Sequence, residues 1–271
     1  MPPVVVASYN VHGGVDGWGR PFDVVGTCRR IDADVLVLQE SWASDGQATM
    51  AERVAAELGY AVTELTLARG RIVAPRADVG TRWGPRPWAR NAYGLRLERR
   101  HPGPGERRAH RGAPPRAIEH GEWRIAVLSR LGVRRTSTIR LGQLDGDPAR
   151  RGAIVAEIAV PGAARDLRVV GTHLAHLSQG SPRHIAALRR ELASSDPCVL
   201  AGDMNMWGPP LSLLLPGWSR AVRGRTWPAW TRWPLAQSDH ILVTNAVGTE
   251  GGEVLAIPGS DHFPVRARLV I

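Results

Sequence analysis

The run "VLAGDMN" ends in a carboxylate, Asp203, followed two residues later by a carboxamide, Asn205. In an extended chain residues two apart face the same way, so the two oxygen-bearing side chains are aimed together. Other Val/Leu-rich runs finish in similar fashion. Asn10 closes "VVVASYN", Glu40 closes "DVLVLQE", and His173 follows "VVGT". Asp239 and His240 open "DHILVT", and "GSDHFPV" near the C-terminus supplies Asp261 and His262. Each of these alone reads as a turn former, a helix cap or a surface group, as do His12 and His101. As a set they offer three hard-oxygen cation ligands (Asn10, Glu40, Asp261), two further oxygen groups (Asp203, Asn205), an Asp able to orient a His, and two histidines. Oxygen donors without thiolates suit Mg²⁺ or Mn²⁺ rather than zinc.

Bringing these groups together requires strands that end on one rim. The apolar runs at 4–10, 34–40, 167–174, 197–205 and 239–244 predict strands buried on both faces. Further strands are expected at 60–67, 91–97, 123–129, 134–141 and 152–160, and 150–174 reads as a hairpin turning at Pro161–Ala164. Helices are expected at 46–58, where Met50, Val54 and Leu58 recur at four-residue spacing, and at 182–193, with Pro182 at the first position. Strands and helices mixed over the whole length imply a layered α/β architecture. In such folds ligands gather where strand ends meet loops. No repeat or linker divides the chain, so one domain over 1–271 is expected. Within it, 98–117, rich in Arg, Pro and Gly, reads as a long mobile surface loop.

Hydrophobic residues make up 43% of the 271, enough for a substantial core. No apolar run approaches the roughly 20 residues that cross a bilayer, and the N-terminus shows no secretory pattern. A cytoplasmic protein is the expectation. Cys28 and Cys198 read as buried free thiols in a reducing compartment, with a disulfide left open. The net charge is +10, and all 35 basic residues are arginine. The missing lysine excludes Schiff-base chemistry and a P-loop. The arginine excess favours phosphate-bearing partners, although Arg standing wherever Lys would serve explains it equally well.

The blocks "SYN", "LQE", "AVLSR", "GTHL", "GDMN", "TWP", "SDHIL" and "GSDHFPV" follow, in order, the pattern of the endonuclease/exonuclease/phosphatase superfamily of metal-dependent phosphoesterases. They span Asn10 to Val265. The resemblance implies a four-layer α/β sandwich, two packed mixed β-sheets flanked by helices. It implies Asn10, Glu40 and Asp261 as metal-site residues. It assigns Asp203 and Asn205 to the attacking water and the phosphate, and His262 to a pair with Asp239. His173 would bind a phosphate oxygen, with Arg130 of "LSR" as a further substrate contact. Ser238 departs from the pattern, standing where a hydrophobic residue is usual. The "THL" histidine resembles the deoxyribonuclease, sphingomyelinase and phosphatase branches, and "TWPAW" is unlike the abasic-site enzymes.

The activity so implied is Mg²⁺-dependent, or Mn²⁺-dependent, phosphodiester hydrolysis by in-line attack of water, with DNA or RNA as the leading substrate. The alternative is a phospholipase C or sphingomyelinase-like activity, or an inositol-phosphate-type phosphatase. Trp218, Trp227, Trp230 and Trp233 precede Asp239 closely. They could stack on bases, sit among lipid headgroups, or simply pack a loop. The sequence leaves the number of metals, the general base and the oligomeric state open.

Overall fold

The structure is a computed structural model and describes residues 3–73, 95–98, 118–192 and 196–271. Among these, two mixed sheets pack face to face. The first has seven strands: β1 (Val4–Asn10), β2 (Val35–Ser44), β3 (Ala61–Val73), β4 (Leu95–Leu97), β5 (Ile118–Ser129), β12 (Gly248–Val254) and β13 (Val265–Val270), in the order β12-β13-β1-β2-β5-β3-β4. The second has six: β6 (Gly132–Gly142), β7 (Arg151–Ala159), β8 (Leu167–His173), β9 (Cys198–Asp203), β10 (Trp218–Arg220) and β11 (Asp239–Thr244), in the order β10-β11-β9-β8-β7-β6. Each sheet has one parallel pair, β1 with β2 and β8 with β9; all other pairings are antiparallel.

The unbroken apolar runs are explained by burial on both faces. Along β2, Val35 and Val37 turn inward to meet Val169, Val199 and Ile241 of the facing sheet. Their neighbours Leu36 and Leu38 turn outward against α1 (Val24–Ile31) and α2 (Met50–Leu58). The second sheet does the same, Leu200 and Leu242 packing against α3 (Ser181–Glu191) and α4 (Gly208–Leu214). The result is the predicted order of layers: helices, sheet, sheet, helices. Burying each such side chain stabilises the fold by about 1.5–3 kcal/mol relative to exposure. The sheets approach closely at Gly171, where an added Cβ would lie 2.7 Å from Val127 and 2.8 Å from Val37.

Several expected boundaries shift for local reasons. The helix predicted at 46–58 begins only at Met50, because Thr49 and Glu52 form a reciprocal capping box. Strand β2 continues to Ser44 through a bulge between Leu38 and Ser41. The strand predicted at 197–205 stops at Asp203, before Asn205 turns into a left-handed conformation at φ 49°. Helix α1, with Asp23 as its N-cap, and strands β12 and β13 carried no expectation. Of the strand expected at 91–97, only β4 is described, and the predicted loop at 98–117 lies outside the described residues apart from Glu98. Cys28 and Cys198 are free and buried under opposite helix layers, so no disulfide joins them; burial pushes both thiols up to about 12. No described helix is long and apolar enough to cross a membrane.

Candidate active site

Strand direction brings the chemistry to one rim. The parallel pair β1–β2 carries Asn10 and Glu40 at its C-terminal end, and the parallel pair β8–β9 carries His173 opposite Asp203. Strand β11 runs the other way, so its first residue, Asp239, pairs with Asp203. The loop before β13 adds Asp261 and His262.

Asp203, 2% exposed, sits at the centre. Its Oδ2 accepts from Asn10 Nδ2 at 3.2 Å and lies 3.6 Å from His173 Nε2 and 3.9 Å from His262 Nε2. Its Oδ1 accepts from the Asn205 backbone N–H at 2.8 Å. Burial, then the charge of Asp239, pushes the Asp203 carboxyl up to about 7. Asp239 Oδ2 lies 2.8 Å from His262 Nδ1 and accepts from the Ser238 hydroxyl at 3.0 Å. The departure from the family pattern at Ser238 thus adds a donor to the Asp239–His262 pair. Burial works against a charged His262, but the charges of Asp239 and Asp261 outweigh it and raise its pKa well above the usual imidazole range. Asp239 is lowered: burial opposes its ionisation, and the facing His262 wins.

His173 has the opposite electrostatics. Burial, then the nearby Arg151 charge, holds it neutral, well below the usual range. Its Nε2 meets Asn205 Nδ2 at 3.2 Å, and Asn205 Nδ2 also donates to Leu174 O at 3.0 Å. Both amide hydrogens of Asn205 are therefore occupied, and a phosphate would have to displace the His173 contact.

Asn10 Nδ2 also donates to Glu40 Oε1 at 3.1 Å, drawing the Glu40 and Asp203 carboxylates to one amide. Glu40, at φ 57°, lies within the β2 bulge; left-handed backbone at Glu40 and Asn205 costs of order 1–3 kcal/mol each and is a mark of functional sites. Asp261 Oδ1 lies 3.4 Å from His12 Nδ1 and 3.9 Å from His262 Nε2. This all-oxygen donor set fits a hard divalent ion. Asp203, Asp239 and His262 form a second group whose ligand atoms lie within 4.8 Å of one another. In that group His262 Nδ1 and Asp239 Oδ2 already face one another at 2.8 Å.

Arg130 is not part of this cluster. Its backbone N–H bonds Asp34 O, and its guanidinium bonds Asp32 Oδ1 at 2.9 Å over the Tyr60 ring. Ser129 pairs with Val35, at the start of β2, five residues from Glu40 and so about 16 Å away. The substrate contact expected of Arg130 is thus corrected to a structural ion pair on the opposite rim. Conversely, His12 reads as a surface histidine in the sequence but sits against Asp261, its backbone N–H on Asn10 Oδ1 at 3.0 Å.

Arg151 was likewise illegible. Nothing in "DPARRGAIV" separates it from Arg150, yet it is buried, bonded to Asp147 at 2.7 Å. Its guanidinium covers the Trp123 ring, which packs on His173 with centroids 5.0 Å apart, and it donates to His173 O at 3.2 Å.

A family model described as Endonuclease/Exonuclease/phosphatase family matches residues 7–262. Among solved structures, a Bacteroides thetaiotaomicron mannosyl-6-phosphatase is similar at TM-score 0.64 and 14% identity, covering 99% of this chain and 100% of that one. The human nocturnin catalytic domain with bound sulfate gives 0.61 and 16%, covering 99% and 93%. D. rerio TDP2 complexed with a single-strand DNA product gives 0.60 and 14%, covering 99% of each chain. At these identities the likeness shows the fold. Among curated proteins no sequence matches.

Proposed function

Because the chain belongs to the Endonuclease/Exonuclease/phosphatase family, we propose that residues 1–271 form one cytoplasmic domain, a Mg²⁺- or Mn²⁺-dependent phosphodiesterase cleaving DNA or RNA. The observation that carries this reading is Asp203, held within 4 Å of Asn10, His173 and His262. Glu40, Asn10 and Asp261 would hold the ion, which when bound neutralises a phosphoryl oxygen and the leaving oxygen. Asp203 orients the attacking water and, with its raised pKa, takes up its proton. Cationic His262, fixed by Asp239, neutralises phosphate charge. Once the Asn205 contact is released, neutral His173 in its Nε2–H tautomer donates to a phosphate oxygen without adding charge, and the freed Asn205 Nδ2–H reaches the same group.

Similarity to a structure with a DNA product supports the nucleic-acid reading, as does the +10 charge. A phosphoester panel comprising plasmid, single-stranded DNA, RNA and small esters tests it, run with wild type and His262→Ala in Mg²⁺. Cleavage of a nucleic acid that His262→Ala loses is expected. A second reading, action on a phospholipid headgroup, is favoured by the exposure of Trp207, Leu213, Trp233 and Leu235, at 54%, 83%, 71% and 69%. Release of a phosphorylated headgroup from vesicles, with nucleic acids left intact, would establish that reading instead.

A further inference from the structure

Asp147 and Arg151 form a buried ion pair, their side chains 0% and 5% exposed. Asp147 accepts from Arg151 Nε at 2.7 Å and Nη2 at 3.2 Å, and its Oδ1 also takes the Ala149 N–H at 3.1 Å. A pair this deeply buried adds little stability over apolar side chains of similar volume, because both charges are stripped of water. Its presence calls for another explanation, and the third hydrogen bond of the guanidinium points to one.

That bond runs from Arg151 Nη1 to His173 O at 3.2 Å. Strand pairing makes it possible: β7 lies antiparallel to β8 with Ala153 opposite Thr172, which sets Arg151, at the start of β7, beside the end of β8. The same guanidinium covers the Trp123 ring, 5.0 Å from its centroid. Trp123, from β5 of the facing sheet, packs in turn on the His173 imidazole with centroids 5.0 Å apart. A stack of guanidinium, indole and imidazole therefore bridges the two sheets.

The imidazole needs that support. His262 is oriented by Asp239, whose Oδ2 lies 2.8 Å from its Nδ1, whereas the buried Nδ1 of His173 has no partner among the described residues. Once a phosphate displaces Asn205, packing is what keeps this ring from turning. The Arg151 charge also acts, after burial, to hold it neutral.

We infer that Arg151, fixed by Asp147 and acting through Trp123, is a positioning residue that aims His173 Nε2 at the phosphate. The inference rests on the reading of His173 as a phosphate contact and deepens it, by naming what orients that ring.

The test is a double-mutant cycle on kcat for bis(p-nitrophenyl) phosphate with Mg²⁺. Arg151→Met alone would strand the Asp147 charge, so it is combined with Asp147→Asn, in wild type and in His173→Ala. Misplacing a reacting group by about 1 Å costs on the order of 10²-fold, so this pair of substitutions should cost at least about tenfold in the wild-type background. In the His173→Ala background it should cost less than about twofold, because the ring it serves is gone. Equal losses in the two backgrounds, or no loss in either, overturn the inference. Trp123→Leu leaves the ion pair in place and is carried through the same cycle, deciding the matter by the same criterion if the paired variant does not fold. If wild type shows no turnover, the phosphodiesterase reading falls, and NMR of the metal-free proteins decides the positioning role. Nuclear Overhauser contacts between the Trp123 and His173 rings that the paired substitutions abolish uphold it, and contacts that persist refute it.

Discussion

At the scale of single residues, the account turns on two histidines of opposite charge state at one carboxylate. His262 has a folded-state pKa above its unfolded value. The stability it contributes is therefore full below about pH 6.5 and is lost as pH rises through the folded value. Asp239→Asn removes the main source of that rise. In metal-free protein the His262 ring resonances should then titrate at lower pH by NMR, and kcat should fall by about 10²-fold or more. An unmoved titration would show that Asp239 does not hold the charge. His240 behaves in the reverse sense. Burial, partly offset by its bond to Met206 O, lowers it to about 4, so its contribution is complete above about pH 6.5 and lost as pH falls towards 4. Acid unfolding of His240→Gln should be less steep across that window, and an unchanged midpoint-versus-pH curve would contradict the assignment. At this scale the sequence showed the site acids and His262 because they sit at strand ends in recognisable blocks. It could not show His12 or Arg151, whose roles come from burial and from partners distant in the chain.

At the scale of elements, the site depends on strands that end abruptly and in register. Gly202, at φ 152°, precedes Asp203, and an added Cβ would lie 2.0 Å from Thr172 O in the neighbouring strand. Gly202→Ala should therefore separate β8 from β9 and destabilise the protein by about 2 kcal/mol or more, read as a lower denaturation midpoint. Full retention of stability would mean that the β8–β9 register is not what holds His173 opposite Asp203. The central strands were legible because burial on both faces leaves continuous Val/Leu runs. Strand β12, "GTEGGEV", was not, being almost wholly exposed and carrying little apolar signal. Helix α4 was hidden by its length of seven residues and its two prolines. The bulge that carries Glu40 leaves no mark in composition, since the left-handed position that would favour glycine is held by Glu40 itself.

At the scale of the molecule, two sheets converge so that side chains nearly 200 positions apart share one hydrogen bond, Asn10 to Asp203. The blocks implied this sandwich, whereas periodicity alone reached only layered α/β, because nothing in a single strand says which sheet it joins. The arginine-only charge acts at the same scale. Oligonucleotide binding through about three phosphates should weaken about 20-fold between 50 and 200 mM salt, measured by anisotropy, and insensitivity to salt would argue against phosphate contacts. The central claim is that Asp203, among its acids and histidines, performs metal-dependent hydrolysis of phosphodiesters. It is tested most directly by the rate of bis(p-nitrophenyl) phosphate hydrolysis by wild type and Asp203→Asn, each with Mg²⁺ and with EDTA, beside their melting temperatures. The account predicts turnover only by wild type with metal, a loss of about 10³-fold in Asp203→Asn, and a melting temperature in that variant equal or higher, because a crowded buried charge has been removed. Equal rates for the two proteins, or turnover undiminished by EDTA, would contradict it.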